Sequence, residues 1–304
     1  MSRRASTRFR FFHWGSCDET RSAECAVHSN AQKLTVIRVL SDLGVQSLAL
    51  FVYPGLVTML VTGALMESVW TRLAGGRLKW DGLPRRTPSP VVITIALCSA
   101  LAAAQLAAPF NPDPTQQRSV VIAAVALAFT PWVELALRGE GSAPPTLLLT
   151  VQVCWLLAVL GPAVQPESLP PQVLGNLSVP ALLPVKVASA FLYLLCLPAL
   201  LRLWPRATGG DRRDKPRFDL ARMACWFAYC GLFTTLFFPP SASDLAGLAR
   251  FLAVTSLVAV AAMVGGLVLG RRGYATARGL YMRAVPVYAG AVLLLVVATT
   301  LIMR

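Results

Sequence analysis

Long apolar segments alternate with short polar ones over most of the chain. Eight segments contain no charged residue and approach or reach the roughly 20 residues that a helix needs to cross a bilayer. They are Gly44–Met66, Thr87–Pro112, Ser119–Val133, Ser142–Pro166, Val187–Leu201, Met223–Ser243, Phe251–Gly270 and Ala284–Met303. The residue-by-residue alternation that is typical of outer-membrane barrel strands does not occur. The pattern therefore predicts an all-α, polytopic membrane protein with about eight transmembrane helices.

The composition agrees with this prediction. Of the 304 residues, 56% are hydrophobic and only 14% are charged, whereas a soluble domain carries about a quarter charged residues. The net charge of +14 would favour nucleic-acid binding in a soluble protein. Here the basic residues lie mainly in short segments between the apolar ones, where Lys and Arg set the orientation in the membrane. The lipid bilayer, and not nucleic acid, is therefore the expected partner.

Basic residues are distributed unevenly between the polar segments. Those that follow the first, fifth and seventh apolar segments are rich in Lys and Arg, whereas "NPDPTQQ", "QPESLPPQVLGNLS" and "SASDLAG" contain neither. Because Lys and Arg favour the cytoplasmic side, the first group is predicted to be cytoplasmic and the second external. With eight spans, both termini would then lie outside.

Residues 1–43 are predicted to form a basic N-terminal tail, followed by a membrane domain that covers residues 44–304. A basic tail on the outside conflicts with the orientation of the loops. Three explanations are open: the tail is translocated in spite of its charge, the whole topology is inverted, or the start codon lies upstream of the true one. We favour the third, because the tail lacks the regular pattern of the rest of the chain.

The tail contains both histidines of the chain, with two cysteines between them. His13, Cys17, Cys25 and His28 are ligand types that suit zinc, but their spacing differs from the usual paired knuckles. We therefore expect an unstructured tail and no metal site.

Ionisable residues at membrane depth are candidates for function, because a charge in the bilayer is costly. The candidates are Glu67 at the end of the first apolar segment, Glu134 near the end of the third, and Asp219 and Arg222 just before the sixth. An ordinary structural role is also open at these positions. Glu134 could pair with Arg138 one turn further along the helix, and Glu67 could form an interfacial ion pair with Arg72. Asp219 could be the N-cap of the sixth helix, and Lys186 could extend its ammonium group to the membrane surface.

Motifs of soluble catalysis are missing from the sequence. It contains no nucleophile elbow, Walker A loop, HExxH or dinucleotide-binding fingerprint. No histidine lies in any apolar segment, which argues against a His-ligated metal or haem centre in the membrane. No catalytic residue is predicted, and a part in catalysis would require a larger assembly.

The segment "KPRFDLARMACWFAYCGLF" resembles the "RPPFDLPEAE…EY(S/A)G" segment of the membrane-arm subunit 1 family of respiratory complex I (NADH-quinone oxidoreductase) and its relatives in energy-converting membrane hydrogenases. Pro216, Phe218, Asp219 and Leu220 match in order, and Arg217 stands at the family's second proline when no gap is allowed. In that family the segment leads from a cytoplasmic loop into the sixth span.

Two other regions are similar to the same family. "LALFVYPGLVTMLVTGALMESVWTRLAGGRL" is similar to the first span, with Glu67 on the family's glutamate and Arg77 on a basic position ten residues later. "RRGYATARGLYMRAVPVYAGAVLLLVV" is similar to the last loop and span. The resemblance covers roughly Gly44 to the C-terminus.

The resemblance implies a membrane-arm subunit of the prokaryotic cytoplasmic (inner) membrane. Such a subunit docks a soluble electron-transfer arm and contributes to a quinone and proton path, with quinone as a ligand and no covalently bound cofactor. Its partners would be other membrane-arm subunits and iron–sulfur or quinone-module subunits. The implied path residues are Glu67, Glu134, Asp219 and Arg222, and the implied docking residues are Arg72, Arg77, Arg212, Arg213, Lys215 and Arg217.

The chain departs from the family where carboxylates are expected. Ala221, Arg222, Met223 and Ala224 stand in place of the family's Pro-Glu-Ala-Glu. Carboxylates that gain and lose protons carry protons through a low-dielectric span, so this departure favours an alternative function as a degenerate paralogue that anchors or scaffolds without translocating ions. An unrelated transporter is a further alternative, although the internal repeats typical of transporters are not found.

Overall fold

The computed structural model describes residues 51, 53–75, 89–111, 118–138, 144–163, 182–203, 218–240 and 244–303. These residues form helices and short connecting turns, and no strand occurs among them. All of them belong to one unit, Gln46–Arg304. The predicted all-α class is therefore confirmed for this part of the chain, while the predicted N-terminal tail lies outside the described residues.

The helices follow the apolar segments of the sequence. We label them α1 (Leu56–Leu73), α2 (Pro90–Ala104), α3 (Val120–Arg138), α4 (Pro145–Leu160), α5 (Leu183–Leu200), α6 (Leu220–Phe237), α7 (Leu245–Arg272), α8 (Tyr274–Gly279) and α9 (Val285–Met303). A 3₁₀ turn, Gly161–Ala163, follows α4, and a π-helical segment, Leu280–Ala284, joins α8 to α9. Each of the eight predicted segments overlaps one of α1 to α7 or α9.

Among the described residues, four helical stretches are long and apolar enough to cross a membrane. They are α5, α6, α7 and the stretch Tyr274–Leu301, which comprises α8, the π-helical segment and most of α9. Three further apolar helices are shorter, at Pro90–Ala104, Val120–Ala136 and Pro145–Leu160. The described residues thus form a helical membrane protein, with four helices that meet both criteria.

The distribution of apolar residues is the one expected in lipid. In α6, 89% of the residues are buried, whereas in the most apolar 18 residues of α7 and of the stretch Tyr274–Leu301 the buried share is only 39% and 28%. The exposed side chains of these outer helices are large and apolar, among them Leu257, Val287 and Leu294. Such a surface is unfavourable in water and compatible with hydrocarbon.

Helix α6 is the centre of the helix bundle and contacts α1, α2, α3, α5 and α7. Helix α1 approaches it closely at Gly63, where a Cβ atom would overlap the carbonyl oxygen of Met223. Only glycine allows the two backbones to come this close. This contact fixes how α1 and α6 are positioned relative to each other along their axes.

Three helices end close to the start of α6. Gly63 lies beside Met223, while Glu67, one turn further along α1, reaches Arg222, so α1 and α6 are antiparallel. The Tyr229 hydroxyl of α6 donates to the Leu127 carbonyl in the middle of α3. Arg202 at the end of α5 contacts both Glu134 near the end of α3 and Asp219 at the start of α6. The C-terminal ends of α1, α3 and α5 thus meet the N-terminus of α6 at one end of the bundle, the end predicted to be cytoplasmic.

Candidate functional site

Asp219 begins α6 as its N-cap. Its backbone is extended, and its Oδ1 accepts a hydrogen bond of 3.0 Å from the backbone N–H of Ala221. A carboxylate at this position satisfies one of the helix's otherwise unpaired N–H groups. The N-cap role predicted from the sequence is therefore confirmed.

Glu67 is wholly buried and accepts four hydrogen bonds. The guanidinium of Arg222 donates from Nε at 2.8 Å and from Nη2 at 2.5 Å. Trp226 Nε1 donates at 2.9 Å and the backbone N–H of Asp219 at 3.1 Å. The two donors of one guanidinium and the two further donors together satisfy both oxygens of this buried carboxylate.

The prediction that Glu67 forms an ion pair with Arg72 is wrong. Glu67 faces α6, where it forms its ion pair with Arg222. Arg72 is exposed in the last turn of α1. Residues five apart on a helix point in different directions, so the pair that looked local in the sequence is replaced by one between two helices.

Arg202 ends α5 in an unusual backbone conformation. Its φ angle is +54°, its N–H donates to the Ala199 carbonyl at 3.0 Å, and the N–H of Leu203 donates to the Pro198 carbonyl at 2.8 Å. These two bonds define a Schellman motif, in which glycine usually occupies the left-handed position. An L-residue there costs about 1–2 kcal/mol.

The side chain of Arg202 lies between two carboxylates from different helices. Its Nη1 forms an ion pair with Oε2 of Glu134 on α3 and lies 3.9 Å from Oδ2 of Asp219. The side chain of Glu134 is 9% exposed, whereas those of Asp219 and Arg202 are 17% and 25% exposed. This part of the site therefore reaches the edge of the bundle, while Glu67 lies inside it.

These residues form one charge network. Its members are Glu67, Glu134, Arg202, Asp219 and Arg222. All four candidates that the sequence singled out for a quinone or ion path are thus brought together. With every member ionised, the network carries one more negative than positive charge.

Two contributors were missed by sequence reasoning. Trp226 follows Arg222 by four residues on α6, a spacing that places both on one helix face and could have indicated a shared partner. Arg202 opens the basic segment that follows the fifth apolar segment, and the sequence predicts it only as one of the cytoplasmic cations. Helices often end on a glycine, but the sequence at the end of α5 reads Leu-Arg-Leu. This missing glycine is the feature that could have drawn attention to Arg202.

The other candidates lie elsewhere. Lys186, in the first turn of α5, is half-buried at the opposite end of the bundle from the network. The docking candidates Arg77, Arg212, Arg213, Lys215 and Arg217 lie outside the described residues, as do the histidines and cysteines of the N-terminal tail. Within the described ranges, no group of three or more His, Cys, Asp or Glu side chains is placed to hold a metal ion.

Comparison with known proteins shows no family for this chain. No protein-family model matches it, and no curated protein matches it significantly. The resemblance to the complex I subunit therefore rests on the sequence segments that carry it.

Proposed function

We propose that this chain is a membrane-arm subunit of a complex I-like assembly, of the NADH-quinone oxidoreductase or membrane-hydrogenase type. It would cross the prokaryotic cytoplasmic membrane about eight times, dock the soluble electron-transfer arm on its basic cytoplasmic loops, and contribute to a path for quinone and protons. The redox centres belong to its partners, and quinone is the ligand to which this chain contributes.

The contact between Glu67 and the start of α6 carries the proposal. The two segments with the most specific resemblance, the first span and the Phe-Asp-Leu segment, are remote in sequence. The Asp219 N–H nevertheless donates to Glu67 Oε1, and Arg222 forms an ion pair with the same carboxylate. Two segments that resemble one family independently and also meet in space support the family more strongly than either does alone.

The charge network suits a path at the cytoplasmic boundary. Reduction of a quinone takes up protons, and partly exposed carboxylates are the groups that can supply them. Asp219 reaches the edge of the bundle, and the partly exposed Arg202 connects it to the buried Glu134. In this proposal, Asp219 and Glu134 exchange protons, while Glu67 and Arg222 hold the start of α6 in place.

One observation favours the alternative function, an anchor or scaffold without ion translocation. Glu67 accepts four hydrogen bonds, two of them from a guanidinium. Both oxygens of this carboxylate are occupied by donors from α6 and its N-cap, so the group is placed to hold α1 against α6. A scaffold would keep this pair and have no need of Asp219 or Glu134 beyond stability.

The first test is purification of the tagged chain in a mild detergent, with mass spectrometry of the proteins that accompany it. Recovery of antiporter-like membrane subunits and iron–sulfur proteins is expected, relative to an unrelated tagged membrane protein expressed at the same level. A chain that purifies without any redox partner would overturn the proposal.

A second test separates the two functions once a complex is in hand. Asp219→Asn keeps an N-cap residue and removes the charge. Asp244→Asn is the matched control, because Asp244 caps α7 in the same manner, with its Oδ1 accepting from Gly247 N–H at 2.6 Å. Loss of quinone-linked activity in the first variant alone supports the path, and unchanged activity in both supports the scaffold.

A further inference from the structure

Arg202 occupies a backbone position that favours glycine. It is the left-handed residue of the Schellman motif that ends α5, with a φ angle of +54°. Glycine would end the helix there without strain. A left-handed backbone at a residue other than glycine directs attention to the function of its side chain.

The side chain of Arg202 contacts carboxylates on two separate elements. Nη1 forms an ion pair with Glu134 on α3 and approaches Asp219, the N-cap of α6, at 3.9 Å. One guanidinium therefore serves two carboxylates. When the charge of one carboxylate is removed, the guanidinium interacts more strongly with the other, because its position and hydration are no longer shared.

The connection continues beyond Asp219. The N–H of Asp219 donates to Glu67 on α1, and its Oδ1 caps α6. A displacement of Asp219 would thus change the N-cap of α6 and also the hydrogen bond to Glu67 of the buried ion pair. In this way Arg202 joins the part of the charge network at the edge of the bundle to the part inside it.

We propose that Arg202 is a positioning residue that couples Glu134 to Asp219, so that the charge of Glu134 influences how Asp219 and the start of α6 are held. Only the consequence for proton or quinone movement rests on the proposed function. The coupling itself is a property of the single chain and can be measured without any partner.

The test is a pair of double-mutant cycles. Glu134→Gln, Asp219→Asn and their combination are made in the wild-type chain and again in an Arg202→Gly background. Each variant is purified in detergent, and the midpoint of its thermal unfolding is recorded. In the wild-type background the two shifts are expected to deviate from additivity by about 4 °C or more, and in the Arg202→Gly background to add within about 2 °C.

Arg202→Lys distinguishes coupling from a merely structural role. Lysine keeps the charge but lacks the planar fork of arginine, so it should retain part of the non-additivity, and glycine none. A residue that only ended the helix would behave otherwise: glycine would raise the midpoint, and the shifts would add in every background. Additivity in the wild-type chain, or the same deviation from additivity in the Arg202→Gly background, would overturn the inference.

A distant pair provides the control. Glu134→Gln combined with Asp244→Asn should be additive, because Asp244 caps α7 at the other end of the bundle. Failure of the proposed function would be seen separately, as the absence of redox subunits in the purification. That result would leave the outcome of the cycles unchanged.

Discussion

Arg222 on α6 and Glu67 on α1 are 155 residues apart in the sequence and joined by two hydrogen bonds from one guanidinium. Each residue is nearly or wholly buried. Neither charge would be stable at this depth without the other. The pair therefore acts as a specific attachment between the first described helix and the central one.

Removal of one partner should be strongly destabilising. Glu67→Gln removes the carboxylate that is paired with the buried Arg222 guanidinium, and a broken buried pair costs about 3–5 kcal/mol. We expect a large drop in the thermal unfolding midpoint in detergent. The double variant Glu67→Gln, Arg222→Gln should recover part of it, because no unpaired charge remains.

Arg72→Gln is the control for this prediction, since Arg72 is exposed on the same helix. Its midpoint should stay close to that of the wild type. If Glu67→Gln behaved like Arg72→Gln, the buried pair would not stabilise the protein.

Substitution of Gly63 should separate α1 from α6. A Cβ atom there would overlap the Met223 carbonyl oxygen, and neither backbone can yield without moving its helix. Gly63→Ala should lower the unfolding midpoint. Gly290→Ala on α9 provides the contrast, because a Cβ at Gly290 meets nothing within 4 Å and alanine favours a helix by up to about 1 kcal/mol. Equal effects of the two variants would contradict the close packing.

The orientation can be tested by labelling single cysteines in intact cells with a reagent that does not cross membranes. Leu73 and Leu245 are matched positions, both exposed leucines near the ends of helices. After Cys17 and Cys25 are replaced by serine, Leu245→Cys should react in intact cells and Leu73→Cys only after the cells are opened. The parent chain without either new cysteine measures the background. The opposite pattern would mean an inverted topology.

The local features of this protein could be predicted from the sequence, because they depend on neighbouring residues. Apolar runs indicated where the helices lie, and Asp219 before such a run indicated an N-cap. The choice of α6 as the central helix could not be predicted, since it is not the most apolar. The same holds for the partner of Glu67, which depends on how closely Gly63 lets two helices approach.

The candidate site also combines features that the sequence predicts with features that depend on the packing of the helices. Charge at membrane depth was enough to select Glu67, Glu134, Asp219 and Arg222. Arg202 escaped notice because a cation just beyond an apolar run is ordinary at a cytoplasmic boundary. What distinguishes it, a left-handed backbone and a position between two helices, exists only in three dimensions.

The distance along the chain between Glu67 and Arg222 has a consequence for biosynthesis. A ribosome that adds about 5–20 residues per second needs roughly 8–30 s to make the intervening chain. During that interval α1 is complete and its glutamate has no Arg222 to pair with. Glu67 precedes the last residue of α1 by six positions, a rise of about 9 Å, so its carboxylate can stay near the membrane surface until the sixth helix is inserted. The ion pair can form only once α6 is inserted, so α1 becomes attached to the central helix before α7 and α9 add their own buried residues to the core.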